Sequence, residues 1–570
     1  MAARSARAGG ASAGLCVTAS HNPAPDNGFK LVDPPAGHGL DPGWEGVADG
    51  LAGVGGDDAA VGDAAAALLV GGRPIVPGGA VVPVTDPAVP LPPRAVLLLA
   101  RDTRASGPAL AAAAAAGAAA LCGPDPSSLT LHDLGLATTP RLHWAVARAN
   151  ASLKKGVELD PTAWGEAAYA AELARGHAAL VAGTPPVAWA AAGGAEPPPH
   201  SSFLAVDCAA GVGAGQLAAL AAAVSPAGLT LRAFNPPPPG GGGDDGGGGG
   251  GGGGRALNAG CGSEHVQKSR APPTAWVAAS GDASCPPPPA GALCAALDGD
   301  ADRVVFFTNH SSASAGAGAG AFRLLDGDRI ALLLAAWLSP IIAALPPYSN
   351  GGSPPSVGVV QTAYANGAAA AAAVAALGGP AGVALAATGV KHLHAVAAAR
   401  FDVGIYFEAN GHGAVLLSDR LLAHAAGVVE KGAAGLSAAR TVLALGRACN
   451  QAVGCALSGL LLVDAALRGL GWGPADWAAM YEDLPSVMSV VRVADRRVIR
   501  TSPDEARVVE PPGLQAALDA AAAAAGPAAR TFVRPSGTED VVRVYAEAGT
   551  LEAAQGLARA AEQAVREWAG

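Results

Sequence analysis

Three times in this chain a short aliphatic run gives way to a polar or glycine-bearing turn and then to a helix-forming stretch. The run at 96–99 leads into Arg101-Asp102-Thr103-Arg104 and the alanines of 111–120. The run at 203–206 leads into Asp207-Cys208-Ala209-Ala210-Gly211-Val212-Gly213, with a helix expected from near Gln216. The run at 357–360 leads into Gln361-Thr362-Ala363-Tyr364 and the alanines of 368–376. Strand, turn and helix in alternation predict α/β layers, and alanine has the highest helix propensity. The C-terminal part reads differently. Strand-like runs at 487–493, 498–501, 531–533 and 541–546, with helices over 513–525 and 551–568, predict a separate α+β domain. At roughly 150 residues per domain, 570 residues suggest about four domains.

Composition narrows the function. Hydrophobic residues make up 51% of the chain, which excludes disorder throughout. The formal charge is −10 and no basic domain stands out, so nucleic acid is not an expected partner. An acidic protein that binds anions must gather its few cations in a cleft. Eight cysteines without a C-x-x-C or a zinc spacing fit a reduced, cytoplasmic protein. The apolar stretch 330–345 contains Ser339 and Pro340 and is short for a span, so a buried helix is expected and no membrane partner. Residues 1–15 carry Arg and Ser without an acid, a faint transit-peptide character, but no h-region. The Pro/Gly tract 236–254 cannot pack a core and predicts a flexible surface loop; 286–289 reads as an insertion, and 75–93 and 185–199 as connections.

Five short constellations can carry chemistry. In Thr18-Ala19-Ser20-His21-Asn22-Pro23, Ser20 lacks a nucleophile-elbow sequence, so a phosphoryl carrier fits better than a hydrolase nucleophile. An Asn-Pro turn with a capping Ser is the plain alternative. Downstream, Asp26-Asn27-Gly28-Phe29-Lys30 adds a turn and a cation. In Asp298-Gly299-Asp300-Ala301-Asp302-Arg303, carboxylates at i, i+2 and i+4 can converge on a hard cation. Counted from Asp298, the glycine and glutamate places of an EF-hand hold Arg303 and Asn309, so calcium of that type is excluded. Mg²⁺, which takes a few carboxylates and a phosphate oxygen, suits the shell.

Around Arg534-Pro535-Ser536-Gly537-Thr538, with Arg543 following, two guanidinium groups and a hydroxyl-bearing turn can grip phosphate. Glu408-Ala409-Asn410-Gly411-His412 sets a carboxylate and an amide on one loop, which suits paired sugar hydroxyls. Thr388-Gly389-Val390-Lys391-His392-Leu393-His394 reads as a substrate loop with Lys391 near phosphate. Its two histidines at i, i+2 lack a third metal ligand.

Together these motifs, in this order, resemble the α-D-phosphohexomutases. The stretches 359–367, 388–394, 407–412 and 532–545 resemble the phosphoacetylglucosamine mutase branch, with Glu408-Ala409-Asn410-Gly411 as the discriminating loop. The resemblance implies three α/β domains with mixed sheets and a C-terminal α+β domain around a central cleft. It divides the chain into domains at 1–183, 184–315, 316–455 and 470–570. It implies phosphoserine at Ser20 and one Mg²⁺ on Ser20, Asp298, Asp300 and Asp302; the proton acceptor is left open, with His21 and Lys30 as candidates. Glu408, Ala409 and Asn410 would contact the sugar; Arg534, Pro535, Ser536, Gly537, Thr538, Arg543 and Lys391 would serve the phosphate. A monomer acting on a small phosphosugar through a sugar 1,6-bisphosphate is the implied enzyme, with another phosphohexomutase or an inactive phosphosugar-binding protein as alternatives. Members begin with a strand, a helix and a Gly-Thr-Ala-Gly-Phe-Arg loop, which nothing before Ser20 spells, so an N-terminally truncated domain I is expected.

Overall fold

The computed structural model describes residues 11–23, 25–34, 37–39, 95–122, 128–182, 202–238, 256–277, 288, 292–309, 322–349, 352–536 and 539–569. The tracts 75–93 and 185–199 lie outside these residues, as do residues 1–10 and most of 236–254 and 286–289.

Three mixed sheets share one plan. In the first, β1 (Ser12–Val17) pairs in parallel with β3 (Ala95–Arg101), and β3 with β4 (Leu129–Leu136), while β2 (Phe29–Val32) returns antiparallel to β1. In the second, β6 (Leu229–Phe234), β5 (Ser202–Asp207) and β7 (Ala292–Leu297) are parallel. There β8 (Val304–Asn309) returns against β7 and β9 (Arg323–Leu325) extends the edge. In the third, β11 (Val383–Leu385), β10 (Val357–Gln361) and β12 (Val403–Phe407) are parallel and β13 (Gly413–Leu417) returns against β12. Each sheet thus turns one parallel strand into a hairpin. The three hairpins β1–β2, β7–β8 and β12–β13 carry the Ser20, Asp298–Asp302 and Glu408–Asn410 motifs.

Burial explains why these strands read as continuous apolar runs. In β3, Leu97, Leu98 and Leu99 are all buried, as are all six residues of β7, because helices cover both faces. The helix expected within 330–345 spans Gly327–Ala343, with Pro340 inside it, and is buried along most of its length. Among the described residues no helix is long and apolar enough to cross a membrane.

The C-terminal unit is an antiparallel sheet in the order β14 (Ser486–Arg492), β18 (Val541–Glu547), β17 (Arg530–Pro535). Helices Pro512–Ala525 and Leu551–Ala569 pack on one face, over Val491, Val533, Val542 and Val544. A two-stranded ribbon, β15 (Arg500–Thr501) with β16 (Val508–Glu510), stands apart. The architecture is therefore three α/β units and an α+β unit, as the alternation predicts. Two local expectations are corrected. The helix after β5 begins at Gly213, three residues before Gln216, with Val212 as its N-cap. Val498 sits in a 3₁₀ turn, Arg496–Val498, capped by the Asp495 side chain, so only Arg500–Thr501 of the expected strand remains.

Candidate active site

Loops at the carboxyl ends of parallel strands are where open α/β sheets bind ligands. Here the loops after β1, β3, β7 and β12 meet at one place. Backbone bonds lock them together: Thr139 N–H donates to the Asp300 carbonyl (3.2 Å), and Val304 N–H to that of Gly411 (3.1 Å). Arg303 and His412 form a bridge between the second and third hairpins. Gly411 is required at that bridge, with φ 86° and the Val304 carbonyl oxygen 2.0 Å from where a Cβ would lie.

Ser20 is buried at the tip of the first hairpin, with a left-handed φ of 50°. Its N–H donates to Thr18 Oγ1 (3.0 Å), whose own hydroxyl donates to Asp102 Oδ2 (2.8 Å). Asn258 Nδ2 donates to the Ser20 carbonyl at 2.9 Å, and Arg104, paired with Asp102, reaches the Asn22 carbonyl at 2.8 Å. The backbone is thereby fixed with the Ser20 hydroxyl donating to Asp300 Oδ2 at 3.2 Å.

Asp298, Asp300 and Asp302 are all buried, and oxygens from the three lie within 4.8 Å of one another. The loop is tight because Asp302 N–H and Arg303 N–H both donate to Asp298 Oδ1, at 3.1 and 3.2 Å. Lys30 bonds Asp300 Oδ2 at 2.6 Å and also Asp302, and Thr139 Oγ1 donates to Asp300 Oδ2 at 2.6 Å. One oxygen of each carboxylate, Asp298 Oδ2, Asp300 Oδ1 and Asp302 Oδ1, has no hydrogen-bond donor. Buried carboxylate oxygens demand partners. Three converging carboxylates, each with one oxygen left without a donor, suit a hard divalent cation.

Charge in the cluster is unevenly matched. Burial, then Asp302 and Asp300, push the Asp298 carboxyl well up. For Asp302 burial acts the same way, but His412, Lys30 and Arg303 outweigh it and hold it below the usual carboxylate range. Burial works against the Lys30 ammonium, yet the three aspartates overcome it, so Lys30 keeps its proton more firmly than usual. Burial and the nearby Arg303 lower His21, whose Nδ1 is buried without a partner.

The third hairpin places Glu408 and Asn410 half-buried beside Ala409. Gly389 N–H donates to Glu408 Oε1 at 3.1 Å, and Asn410 Oδ1 accepts from His412 N–H at 2.9 Å. In the C-terminal sheet Arg534 and Arg543 are cross-strand neighbours on the face opposite the helices. Pro535 ends β17, and Ser536 is buried beyond it. Gly537 and Thr538 lie outside the described residues. Lys391 requires a correction. Gly389, at φ 117°, precedes a helix, Val390–Arg400, so Lys391 is exposed on a first helical turn and not in a loop.

Several residues of the site escape sequence reasoning. In the sequence Asp102 and Arg104 stand only in a polar turn. Parallel pairing of β1 with β3 is what brings that turn beside Ser20. Thr139 and Asn258 carry no local signal, and reach the site only through the fold.

Comparison with known proteins agrees with this arrangement. Residues 326–472 match the family described as "Phosphoacetylglucosamine mutase AMG1, domain III". Residues 491–564 match the C-terminal domain, and residues 1–42 the alpha/beta/alpha domain I, of "Phosphoglucomutase/phosphomannomutase". A phosphoacetylglucosamine mutase of Oryza sativa subsp. japonica is 37% identical over 99% of this chain and 89% of its own length. The crystal structure of Aspergillus fumigatus N-acetylphosphoglucosamine mutase in complex with GlcNAc-6P and magnesium superposes with a TM-score of 0.77 at 33% identity, covering 100% of this chain and 91% of that one. A serine-to-alanine variant of that enzyme in complex with glucose 1,6-bisphosphate gives a TM-score of 0.75 at 33% identity, covering 99% and 90%. Identity sustained across nearly the whole chain, on a fold whose three hairpins bring the Ser20, Asp298–Asp302 and Glu408–Asn410 motifs together, places this protein in the phosphoacetylglucosamine mutase family.

Proposed function

We propose that this protein is an isomerase interconverting N-acetylglucosamine 6-phosphate and N-acetylglucosamine 1-phosphate, which supplies UDP-N-acetylglucosamine synthesis. The observation that carries the reading is the Ser20 hydroxyl set against three buried aspartates, each with one oxygen that lacks a donor. Phosphoserine at position 20 gives its phosphoryl group to O1 of the 6-phosphate. The P–O bond to Ser20 breaks as the bond to O1 forms, leaving a bound 1,6-bisphosphate. After the sugar turns over, the Ser20 oxygen takes the phosphoryl group from O6, releasing the 1-phosphate.

Asp298 Oδ2, Asp300 Oδ1 and Asp302 Oδ1, with a Ser20 phosphate oxygen, are the atoms that would hold Mg²⁺. When bound, Mg²⁺ neutralises charge on the transferring phosphoryl group, the main source of catalysis in such reactions. Lys30 and Arg303 add fixed positive charge at the same place. Of the two candidate proton acceptors, His21 fits, since it is held neutral with a free ring nitrogen. Lys30 is held charged and serves as a counter-ion. Glu408, Ala409 and Asn410 take the sugar. Arg534, Pro535, Ser536, Gly537, Thr538 and Arg543 take the phosphate that does not react, with Lys391 as a further cation at its helix start. Domain limits at 183, 315 and 455 go with this assignment.

The reading also makes the protein a cytoplasmic monomer with no membrane partner, and the net charge of −10 supports the absence of a nucleic-acid partner. Purified protein assayed with Mg²⁺ and a trace of sugar bisphosphate should convert N-acetylglucosamine 6-phosphate faster than the glucosamine or glucose 6-phosphates. Preference for an unacetylated sugar would overturn the substrate assignment.

A further inference from the structure

The hairpin joining β15 to β16 is built to present one side chain. Ser502 N–H donates to the Arg507 carbonyl (2.7 Å) and Glu505 N–H to that of Ser502 (2.8 Å), while Asp504 Oδ1 accepts from Ser502 Oγ and from Ala506 N–H. At its apex Glu505 adopts a left-handed φ of 59°, unusual for a residue with a long side chain.

The Glu505 carboxylate joins two domains. Oε2 pairs with Arg534 Nε at 2.8 Å, within the C-terminal unit. It also accepts from Thr388 N–H at 2.9 Å and from Thr388 Oγ1 at 2.7 Å, in the third sheet's domain. The next residue, Gly389, donates its N–H to Glu408 Oε1 at 3.1 Å. An unbroken line of contacts therefore runs from Arg534 through Glu505 and the Thr388–Gly389 turn to Glu408. A separate joint holds the same two domains elsewhere. Arg530 donates to the Ala363 and Ala365 carbonyls at 2.9 and 2.7 Å, and Glu547 accepts from Gly367 N–H at 3.1 Å. The Glu505 contact is thus not needed merely to keep the domains attached.

We propose that Glu505 is a positioning residue that latches the C-terminal domain shut over the substrate, tying the phosphate grip of Arg534 to the sugar grip of Glu408. This rests on the reading of Arg534 as a phosphate ligand and Glu408 as a sugar ligand. A guanidinium has five N–H donors. The ion pair at Nε draws the guanidinium toward Glu505 and leaves its outer nitrogens for a phosphate. Closure by such a contact keeps the bisphosphate in the site while it turns over. With the latch weakened, the bisphosphate escapes more often before it returns a phosphoryl group. Ser20 is then stranded without phosphate until an outside bisphosphate restores it.

The test is steady-state kinetics of Glu505→Gln, which keeps the shape and removes the charge, with and without added glucose 1,6-bisphosphate. Expected is a rise of about tenfold in KM for the sugar phosphate, the loss of one charge-assisted contact. Turnover should become strongly dependent on added bisphosphate, with a kcat near that of wild type once it is saturating. Thr388→Val, which keeps the backbone N–H and loses the hydroxyl, should shift both quantities the same way by less. A purely structural role would not create bisphosphate dependence. Wild-type KM and wild-type bisphosphate dependence in Glu505→Gln, beside an active wild type, would overturn this inference alone. A wild type inactive on every phosphosugar would take down both the inference and the reading beneath it.

Discussion

Ser20 Oγ lies 3.2 Å from Asp300 Oδ2 although 280 positions separate the two residues. The approach depends on Gly299. A Cβ there would lie 2.6 Å from the Ser20 carbonyl oxygen, closer than any side chain can sit. Gly299→Ala must therefore push the first hairpin away from the second. Misplacement of about 1 Å costs on the order of 100-fold in a well-oriented reaction. A drop of that size in kcat is expected, with sugar-phosphate affinity nearly kept because Glu408 and Arg534 are untouched. Unchanged kcat would mean that the close approach is irrelevant to turnover.

Removing the hydroxyl is the sharper change. Ser20→Ala should abolish mutase turnover while calorimetry still detects sugar-phosphate binding, since no proposed sugar or phosphate ligand is lost. In the native protein the peptide containing Ser20 should carry a phosphate by mass spectrometry after incubation with a sugar bisphosphate. Turnover retained by the variant would take Ser20 out of its role.

What could be read from the sequence follows from where each signal resides. The aspartates of 298–302 declare themselves because i, i+2, i+4 spacing in a tight turn is itself the geometry of convergence. Alternating strands and helices likewise fix the layers. The sequence suggests a loop at Lys391 because Thr388-Gly389 reads as its middle, whereas the glycine ends the loop and the helix starts one residue later. Asp102, Thr139 and Asn258 carry no such signal for another reason. Their partners lie 84, 161 and 238 positions away, and only strand order brings them together. Glu505 sits in a polar turn like many others, and only the docking of the C-terminal unit gives it Thr388.

Three buried carboxylates facing one another repel, and Lys30 with Arg303 cannot fully compensate them. A bound divalent cation would relieve that repulsion and stabilise the fold by mass action, about 2.7 kcal/mol at a hundredfold excess over Kd. Asp298→Asn keeps an acceptor for the Asp302 and Arg303 N–H groups but removes one charge. Without metal this variant should melt above wild type, and adding Mg²⁺ should raise its Tm far less. Equal Mg²⁺ responses in thermal scans of the two proteins would separate Asp298 from cation binding.

Stability below neutral pH should depend on His143. It is 3% exposed, and its ring Nδ1 lies 2.5 Å from the Gly37 carbonyl oxygen. Burial outweighs that bond and lowers its pKa to about 4. In the unfolded chain the value is about 6.5. Between these limits the unfolded state takes up a proton that the folded state refuses, so stability falls as pH drops through the window and is unaffected above it. At pH 4.5 the loss from this one group is about 2–3 kcal/mol. His143→Asn keeps a donor for the Gly37 carbonyl and cannot titrate. Denaturant unfolding at pH 7.5 and pH 4.5 should show wild type losing about 2–3 kcal/mol more than the variant over that interval. Buried carboxyls such as Asp326, raised to about 6 by burial and Asp483, act in the opposite direction. They do so equally in both proteins, so they cancel in the difference. Parallel pH slopes for the two proteins would show that His143 is already charged or already accommodated in the fold.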